Sequence, residues 1–583
     1  MKKLFIPVIV LLAGLLMSVA RAPMTPNDKL RLVESLVTNY YVDTVNEDKI
    51  VEAAIIGMLK ELDPHSSYSN PEETKAMNEP LEGSFSGVGI SYNMNQDTLY
   101  VLQVVSGGPS ERVGILPGDR VIAVDDSVIA GVKMTTAKIM KKLRGSKGTK
   151  VNMKILRRTA GKPDQTIDFL VTRAEIPIHS VDVAYMADDN TGYIRLNKFA
   201  ATTPEEFMEA VLKLRKKGMK NLILDLTDNG GGYLSAATSL LGEMLEPGAL
   251  TVYTEGENSR RQEINATPRN NAPLLGDGRL VVMINQYSAS ASEILSGAVQ
   301  DWDRGLTVGR RSFGKGLVQR PFPFPDGSMV RLTIAHYYTP TGRDIQKPYV
   351  KGKSKDYAND IMTRYNNGEL MHADSIHYAD SLKVSTLRLG RPIYGGGGIS
   401  PDVFVPLDTT FYTDYYRDLN AKGLINQYAI RYTDTHRKQL KKDYKNVMQF
   451  VNNFTVTDEM IDQLVALAEK EGVKPKPEQM ERSKPVLKNV IKAIIGRDII
   501  DDEAFYRILN EQNDIFKEAY REQQNYKLNT TRSQSGLDAL REEADRIILD
   551  LWNQVETYYA DLPAEIRLNR CRAYGVVYYY RSG

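Results

Sequence analysis

The chain has 583 residues, of which 42% are hydrophobic and 25% charged, an ordinary globular balance. That length exceeds one compact core, so about three or four domains are expected. A formal net charge of +2 gives no bulk electrostatic case for nucleic acid. The single cysteine, Cys571, excludes an intrachain disulfide and a cysteine metal cluster. The 6 histidines are scattered, and His372 and His377 lack helical i, i+4 spacing, so neither a metal nor a cofactor is expected.

Residues 1–22 read as an export signal. Lys2 and Lys3 precede an apolar stretch, Leu4 to Val19, interrupted by Pro7 and Gly14, and Ala20-Arg21-Ala22 is a small-residue cleavage site. The stretch is short for a spanning helix, so cleavage after Ala22 is expected, with an uncleaved membrane anchor as the alternative. The protein is therefore expected in the periplasm or cell envelope. Residues 23–81 read as helices. Leu30, Leu32, Val33, Leu36 and Val37 form one apolar face, and Ile50, Ala54, Ile55, Met58 and Leu59 another. Proline ends the second helix at Leu62-Asp63-Pro64-His65-Ser66-Ser67-Tyr68.

From 82 to 173 the pattern changes to short strands and turns. Gly87-Val88-Gly89-Ile90 is a glycine-spaced loop entering a strand, and Val101 to Val105 is a strand. Gly108 to Gly114 reads as a short helix with proline near its start and glycine at its end. Leu116-Pro117-Gly118-Asp119 is a turn before a strand from Arg120 to Val124. Thr135 or Thr136 caps a helix reaching Leu143, and Val151, Met153 and Ile155 alternate as in a half-buried strand. This order, with its G-x-G-I loop, resembles a PDZ domain. In such domains loop N–H groups capture a terminal carboxylate and the ligand adds as a strand.

From 174 to 407 strands and helices alternate, predicting an α/β core. Gly192 to Leu196 and Asn221 to Leu226 read as strands, with a helix from Thr203 to Lys217 between them. Asp228-Asn229-Gly230-Gly231-Gly232 then sits at a strand's carboxyl end, where α/β folds place their sites. A buried strand, Leu280 to Ile284, runs into Ser288-Ala289-Ser290-Ala291-Ser292-Glu293 and a helix from Ala291 to Val299. A serine at a sharp strand-to-helix turn is exposed and lies near helix N–H groups, which suits a nucleophile. Ser290-x-x-Glu293 is equally a capping box. Lys315 follows in the loop Phe313-Gly314-Lys315-Gly316, and a neutral lysine is an established substitute for histidine as the base in serine acyl transfer. Residues 408–583 are polar and mostly helical. Phe505 to Tyr520 and Leu537 to Val555 carry amphipathic faces that need a partner surface, either the chain's own protease core or a second subunit, and a homo-oligomer built through them is the favoured expectation. The terminal Tyr578, Tyr579 and Tyr580 have no assigned role.

Taken together, the signal, helical segment, PDZ-like run and α/β core resemble the carboxyl-terminal processing proteases, also called tail-specific proteases. Five blocks carry the resemblance: Leu62 to Tyr68, the PDZ-like run, Asp225 to Gly232, Ser288 to Gln319, and Gly397-Gly398-Ile399-Ser400-Pro401-Asp402-Val403. The resemblance implies a multidomain α/β protein with a crotonase-like protease core, an inserted PDZ domain, an N-terminal helical segment and a C-terminal helical region. It implies Ser290 as nucleophile, Lys315 as general base and Gln319 as the group orienting it. Backbone N–H groups of Gly231 and Ala291 would form the oxyanion hole, and Gly87, Val88, Gly89 and Ile90 would bind the peptide. The expected partners are unfolded or tailed proteins with free C-termini, and an activator or adaptor protein. Two departures stand out: Thr227 and Gly230 occupy positions where the family often has arginine and proline. His336, where a basic residue is common, reads as structural.

Two rival functions remain on the table at this level. A noncatalytic PDZ scaffold needs neither the serine nor the lysine, and an acyl-CoA enzyme on a crotonase-type core needs neither an export signal nor a PDZ domain. A Ser-His-Asp hydrolase is weaker still, because no G-x-S-x-G occurs.

Overall fold

The computed structural model describes residues 24–95, 97–158 and 163–573. The expected export signal and the three terminal tyrosines lie outside the described residues.

The centre of the protein is a six-stranded sheet in the spatial order Val181–Met186, Thr191–Leu196, Asn221–Asp225, Leu280–Ile284, Leu306–Gly309 and Val403–Phe404. The first pair is antiparallel and every later pair parallel. Its inner strands are nearly continuous apolar runs because both faces are covered. Leu222, Leu224, Val282 and Ile284 face the helices Thr203–Lys216, Leu234–Gly242 and Ala291–Asp301. Alternate residues Ile223, Val281 and Met283 face the other way, onto Ile515 and Ala519 at the start of the long helix Asp514–Tyr558.

A second sheet lies beside the central one. The strand Met329–Tyr338 pairs with Leu317–Pro323, Leu250–Gly256 and the short Ser67–Ser69. This ties the N-terminal segment and the lysine loop to one strand.

Residues 84–177 leave and rejoin the core through a two-stranded ladder, Ser84–Gly87 with Ala174–Pro177. Between them lies the PDZ sheet, in the order Ile90–Asn95, Thr98–Val104, Arg120–Val124, Lys150–Arg157 and Gln165–Thr172. Val151, Met153 and Ile155 alternate into its core as their spacing predicts. Thr135 caps the helix Thr136–Leu143 by accepting from the Lys138 N–H. Ile90–Asn95 is an edge strand, so one side of it is unpaired within the sheet.

The C-terminal region corrects one expectation. Its apolar residues do not wait for a second subunit: the helices from Asp414 to Asn510 build their own core around Phe450, Ile461, Leu464, Leu487, Ile491 and Ile508. The Phe505–Tyr520 face is consumed within the chain, Ile508 in that core and Ile515 and Ala519 beneath the central sheet. The reason is the second face of that sheet, which needs a cover, and Tyr506 with Ile515, Phe516 and Ala519 supplies it. The Leu537–Val555 face differs: among its described members Ile547, Ile548 and Leu551 are 62%, 45% and 55% exposed, while Trp552 and Val555 are half-buried.

The PDZ and C-terminal domains touch through charge. The mostly buried Arg120 guanidinium donates to Asp434 at 2.7 Å, and Arg437 joins Asp434 to Asp498.

Candidate active site

The turn that carries the candidate nucleophile is strained. Ser290 has φ 56° and ψ −114°, an unfavourable conformation for a residue with a Cβ. It is held there by Glu293, whose carboxylate accepts the Ser290 N–H at 2.7 Å. The reciprocal half of the capping box, Glu293 N–H toward the Ser290 side chain, is present only as a contact looser than a hydrogen bond, because the Glu293 N–H bonds the Ser290 carbonyl at 2.8 Å.

Glu293 does more than cap. Fully buried, it accepts the N–H groups of Gly314 at 2.6 Å and Lys315 at 2.9 Å and the Ser312 hydroxyl at 2.6 Å. One carboxylate therefore fixes the backbone of Ser290 and that of Lys315 relative to each other. Burial raises its pKa, while these four donors favour its charged form. The sequence shows Glu293 only as a cap; its reach to a loop 22 residues on is visible only in the structure.

The Lys315 side chain is largely buried, and this desolvation, with the nearby positive Arg331, lowers its pKa from 10.5. Glu293 and Asp63 oppose the shift. Its ammonium nitrogen donates to Gln319 Oε1 at 2.9 Å, and Gln319 Nε2 in turn donates to the His65 carbonyl. Among the described residues no hydrogen bond joins Lys315 Nζ to Ser290 Oγ. His65 itself is held neutral: burial, then the adjacent Lys315, pushes its pKa from 6.5 down to about 4.

Each motif block braces one part of this site. In the first, Asp63 accepts the N–H groups of His65 and Ser66 at 2.8 and 2.9 Å, shaping the turn whose carbonyl holds Gln319. In the last, the Ser312 N–H donates to the Ile399 carbonyl at 3.0 Å, the Ile399 N–H donates to Ser312 Oγ at 2.6 Å, and Gly397 and Gly398 lie against Gly314. Gly314 has φ 88°, and a Cβ there would come within 2.9 Å of Lys347 Cβ and 3.1 Å of the Gly397 backbone. In the glycine block, a Cβ on Gly231 would lie 2.8 Å from Ser290 Cβ and 2.9 Å from Ala291 N.

The two oxyanion candidates are thus adjacent but not equivalent. The Ala291 N–H, at the first position of the helix, has no partner among the described residues. The Gly231 N–H donates to Asn229 Oδ1 at 2.9 Å. The departure at Thr227 has a local explanation. Arg195, from the neighbouring strand, donates to Thr227 Oγ1 at 2.8 Å and to its carbonyl at 3.1 Å while pairing with the buried Asp225 at 2.6 Å. The guanidinium reaches this loop from another strand, a route no local motif could reveal. His336 is half-exposed and bonds Asp344 at 3.2 Å, away from Lys315 and Ser290 in the hydrogen-bond network.

In the PDZ domain, Gly87 closes the ladder strand, Val88 is buried, Gly89 has φ 74° and Ile90 opens the edge strand. The N–H groups of Val88 and Gly89 have no partner among the described residues, while both carbonyls are used, by Ser110 and Val105. The loop therefore presents donors, the requirement for holding a carboxylate.

Residues 190–357 match the model of peptidase family S41, 86–171 that of the PDZ domain, and 18–74 that of the activating protease CtpB N-terminal domain. Residues 415–501 match a family of unknown function. The chain is 33% identical over 337 residues to the carboxy-terminal processing protease CtpA of Bacillus subtilis, covering 57% of this chain and 70% of that one. It is 31% identical over 439 residues to CtpB of the same organism, covering 72% and 87%. Among solved structures, a photosystem II D1 C-terminal processing protease shares 26% identity over 65% of this chain and 87% of that chain, with a TM-score of 0.34.

Proposed function

Since the chain belongs to peptidase family S41, as a serine-type endopeptidase of the carboxy-terminal processing group with a PDZ domain, we propose that it cleaves exported proteins near their C-termini with a Ser290–Lys315 dyad. The observation that carries this reading is the buried Glu293 carboxylate bonded to the backbone of both Ser290 and Lys315.

A serine hydroxyl is a weak nucleophile and needs a base. Lys315 serves when its amine is neutral, and its burial favours that form. Lys315 takes the Ser290 proton as Oγ attacks the scissile carbonyl. The oxyanion is held by the Ala291 N–H and by the Gly231 N–H once it leaves Asn229, each donor contributing about 2.7–4 kcal/mol. Lys315 then protonates the departing amine, and water, deprotonated by the same lysine, releases the acyl group. Gln319 fixes the amine without offering it a negative charge, which a carboxylate would do.

The substrate is a protein with a free C-terminus. Its carboxylate meets the Gly87–Ile90 loop and its last residues add to the Ile90–Asn95 edge. An N-terminal domain of the activating-protease type fits control by an activator protein. Export rests on residues 1–22, and self-association on the exposed apolar faces of the helices Pro26–Tyr40 and Asp514–Tyr558.

The test is digestion of casein and of a peptide with a free C-terminus by wild type and Lys315→Ala side by side. Cleavage by wild type alone supports the dyad; equal cleavage by a folded Lys315→Ala protein overturns it.

A further inference from the structure

A tyrosine that no motif singles out is packed in the same core as the helix that follows Ser290. Tyr337 is on the central strand of the second sheet, Met329–Tyr338, and is only 2% exposed. Its N–H donates to the Gly316 carbonyl at 2.9 Å, so its backbone is bonded to the residue after Lys315. Its ring belongs to the same core cluster as Ala291, Ile294 and Leu295, the first turns of the nucleophile helix. Its hydroxyl is buried without a hydrogen-bond partner of ordinary geometry.

A buried hydroxyl with no partner is costly, and a native core retains one only where another group supplies the bond or function demands it. The neighbouring hydroxyl is that of Ser290, whose Oγ has only the loose capping-box contact with the Glu293 N–H and no cap hydrogen bond of ordinary geometry. Burial, together with the Glu293 charge, holds the phenol well above its ordinary pKa of 10. Tyr337 therefore stays protonated wherever the enzyme works, and it can act as a hydrogen-bond donor but not as a base.

We propose that Tyr337 is a positioning residue for the nucleophile: its hydroxyl donates to Ser290 Oγ, which turns the serine proton toward Lys315 and stabilises the charge that grows on Oγ during attack. This rests on the reading of Ser290 as nucleophile. The two hydroxyls then satisfy each other. No proton leaves Tyr337 in the step; Lys315 takes the serine proton, and Tyr337 keeps its own. A donor at Oγ accounts for a tyrosine, where phenylalanine would fill the same core volume without a buried polar atom.

The experiment reads three quantities in the full-length protein: kcat and KM on a peptide with a free C-terminus, the rate at which a fluorophosphonate labels Ser290, and Tm. Mass mapping of the label on wild type tests the nucleophile by itself. A label that avoids Ser290 overturns the parent reading, whatever Tyr337 does. Tyr337→Phe is expected to lower kcat and the labelling rate in parallel by roughly 10- to 100-fold, the effect of one hydrogen bond to a charged group, with KM within about twofold. Tm is expected to stay the same or rise, because a buried polar atom is removed. Wild-type kcat and labelling in Tyr337→Phe would overturn the proposal. Should Tm fall, 3,5-difluorotyrosine placed at 337 decides: it keeps the ring and hydroxyl but strengthens the donor. A change in kcat of about twofold or more then supports positioning, and unchanged kcat overturns it.

Discussion

At the residue scale, Glu293 is the group on which the site's geometry depends most. One of its oxygens takes the N–H groups of Ser290 and Lys315, and the other takes that of Gly314 and the Ser312 hydroxyl. A glutamine keeps the volume but replaces one oxygen by an NH2, which then faces backbone N–H donors in either orientation. Glu293→Gln is therefore expected to cost about 1–3 kcal/mol of stability and to lower kcat at least tenfold, with PDZ-dependent peptide binding unchanged. Thermal unfolding and steady-state kinetics check this, and a variant with wild-type Tm and kcat would remove Glu293 from the account. Spacing and resemblance single out Ser290, Lys315 and Gln319 as candidates in the sequence. Tyr337 and Arg195 are not singled out, because each reaches the site from a different strand and neither stands in a local pattern.

At the scale of elements, local signals succeeded where a residue type has one dominant use. Proline at the start and glycine at the end place the helix Pro109–Val113, and the Thr135 cap places Thr136–Leu143. The helix after Ser290 runs to Asp301, two residues past its expected end at Val299. Long-range pairing was not legible. Nothing in Ser67–Ser69 announces that it joins Met329–Tyr338, which is how the first motif block comes to support Gln319. For the PDZ loop, the free N–H groups of Val88 and Gly89 lead to a direct expectation. Amidating a substrate's C-terminus removes the carboxylate and leaves every side chain intact. Binding measured by calorimetry should fall about tenfold or more, the loss of charge-assisted bonds to backbone N–H groups. Equal affinity for acid and amide peptides would show that the loop does not read the terminus.

At the scale of the whole molecule, the protease core, the PDZ domain and the helical core from Asp414 to Asn510 are distinct, and a fourth cluster packs Tyr506, Ile515 and Ala519 onto the central sheet. The sequence leaves the last part open, since an amphipathic stripe does not say whether its partner is in the same chain. Phe505 to Tyr520 covers the central sheet, so a chain ending near Leu407 would expose that face and would not test assembly cleanly. The exposed Ile547 and Leu551 offer a cleaner probe. The full-length protein is expected to form a dimer or higher assembly in light scattering, and Ile547→Glu with Leu551→Glu to shift it toward monomer without lowering Tm. A wild-type monomer at high concentration, or an assembly indifferent to both changes, would contradict assembly through this helix.

The central claim, a lysine working as a neutral base, is tested most directly by the pH dependence of peptide cleavage in wild type and Lys315→Arg. Burial depresses the Lys315 pKa below 10.5, so the folded protein releases that proton earlier than the unfolded chain does. Wild-type kcat/KM should therefore rise with pH through an ionisation below 10.5 and then level, as the amine becomes neutral. Lys315→Arg, whose guanidinium stays charged, should be folded by circular dichroism and show no turnover from about pH 6 to 9.5. A folded Lys315→Arg enzyme that cleaves the peptide with a wild-type pH profile would contradict the Ser–Lys mechanism.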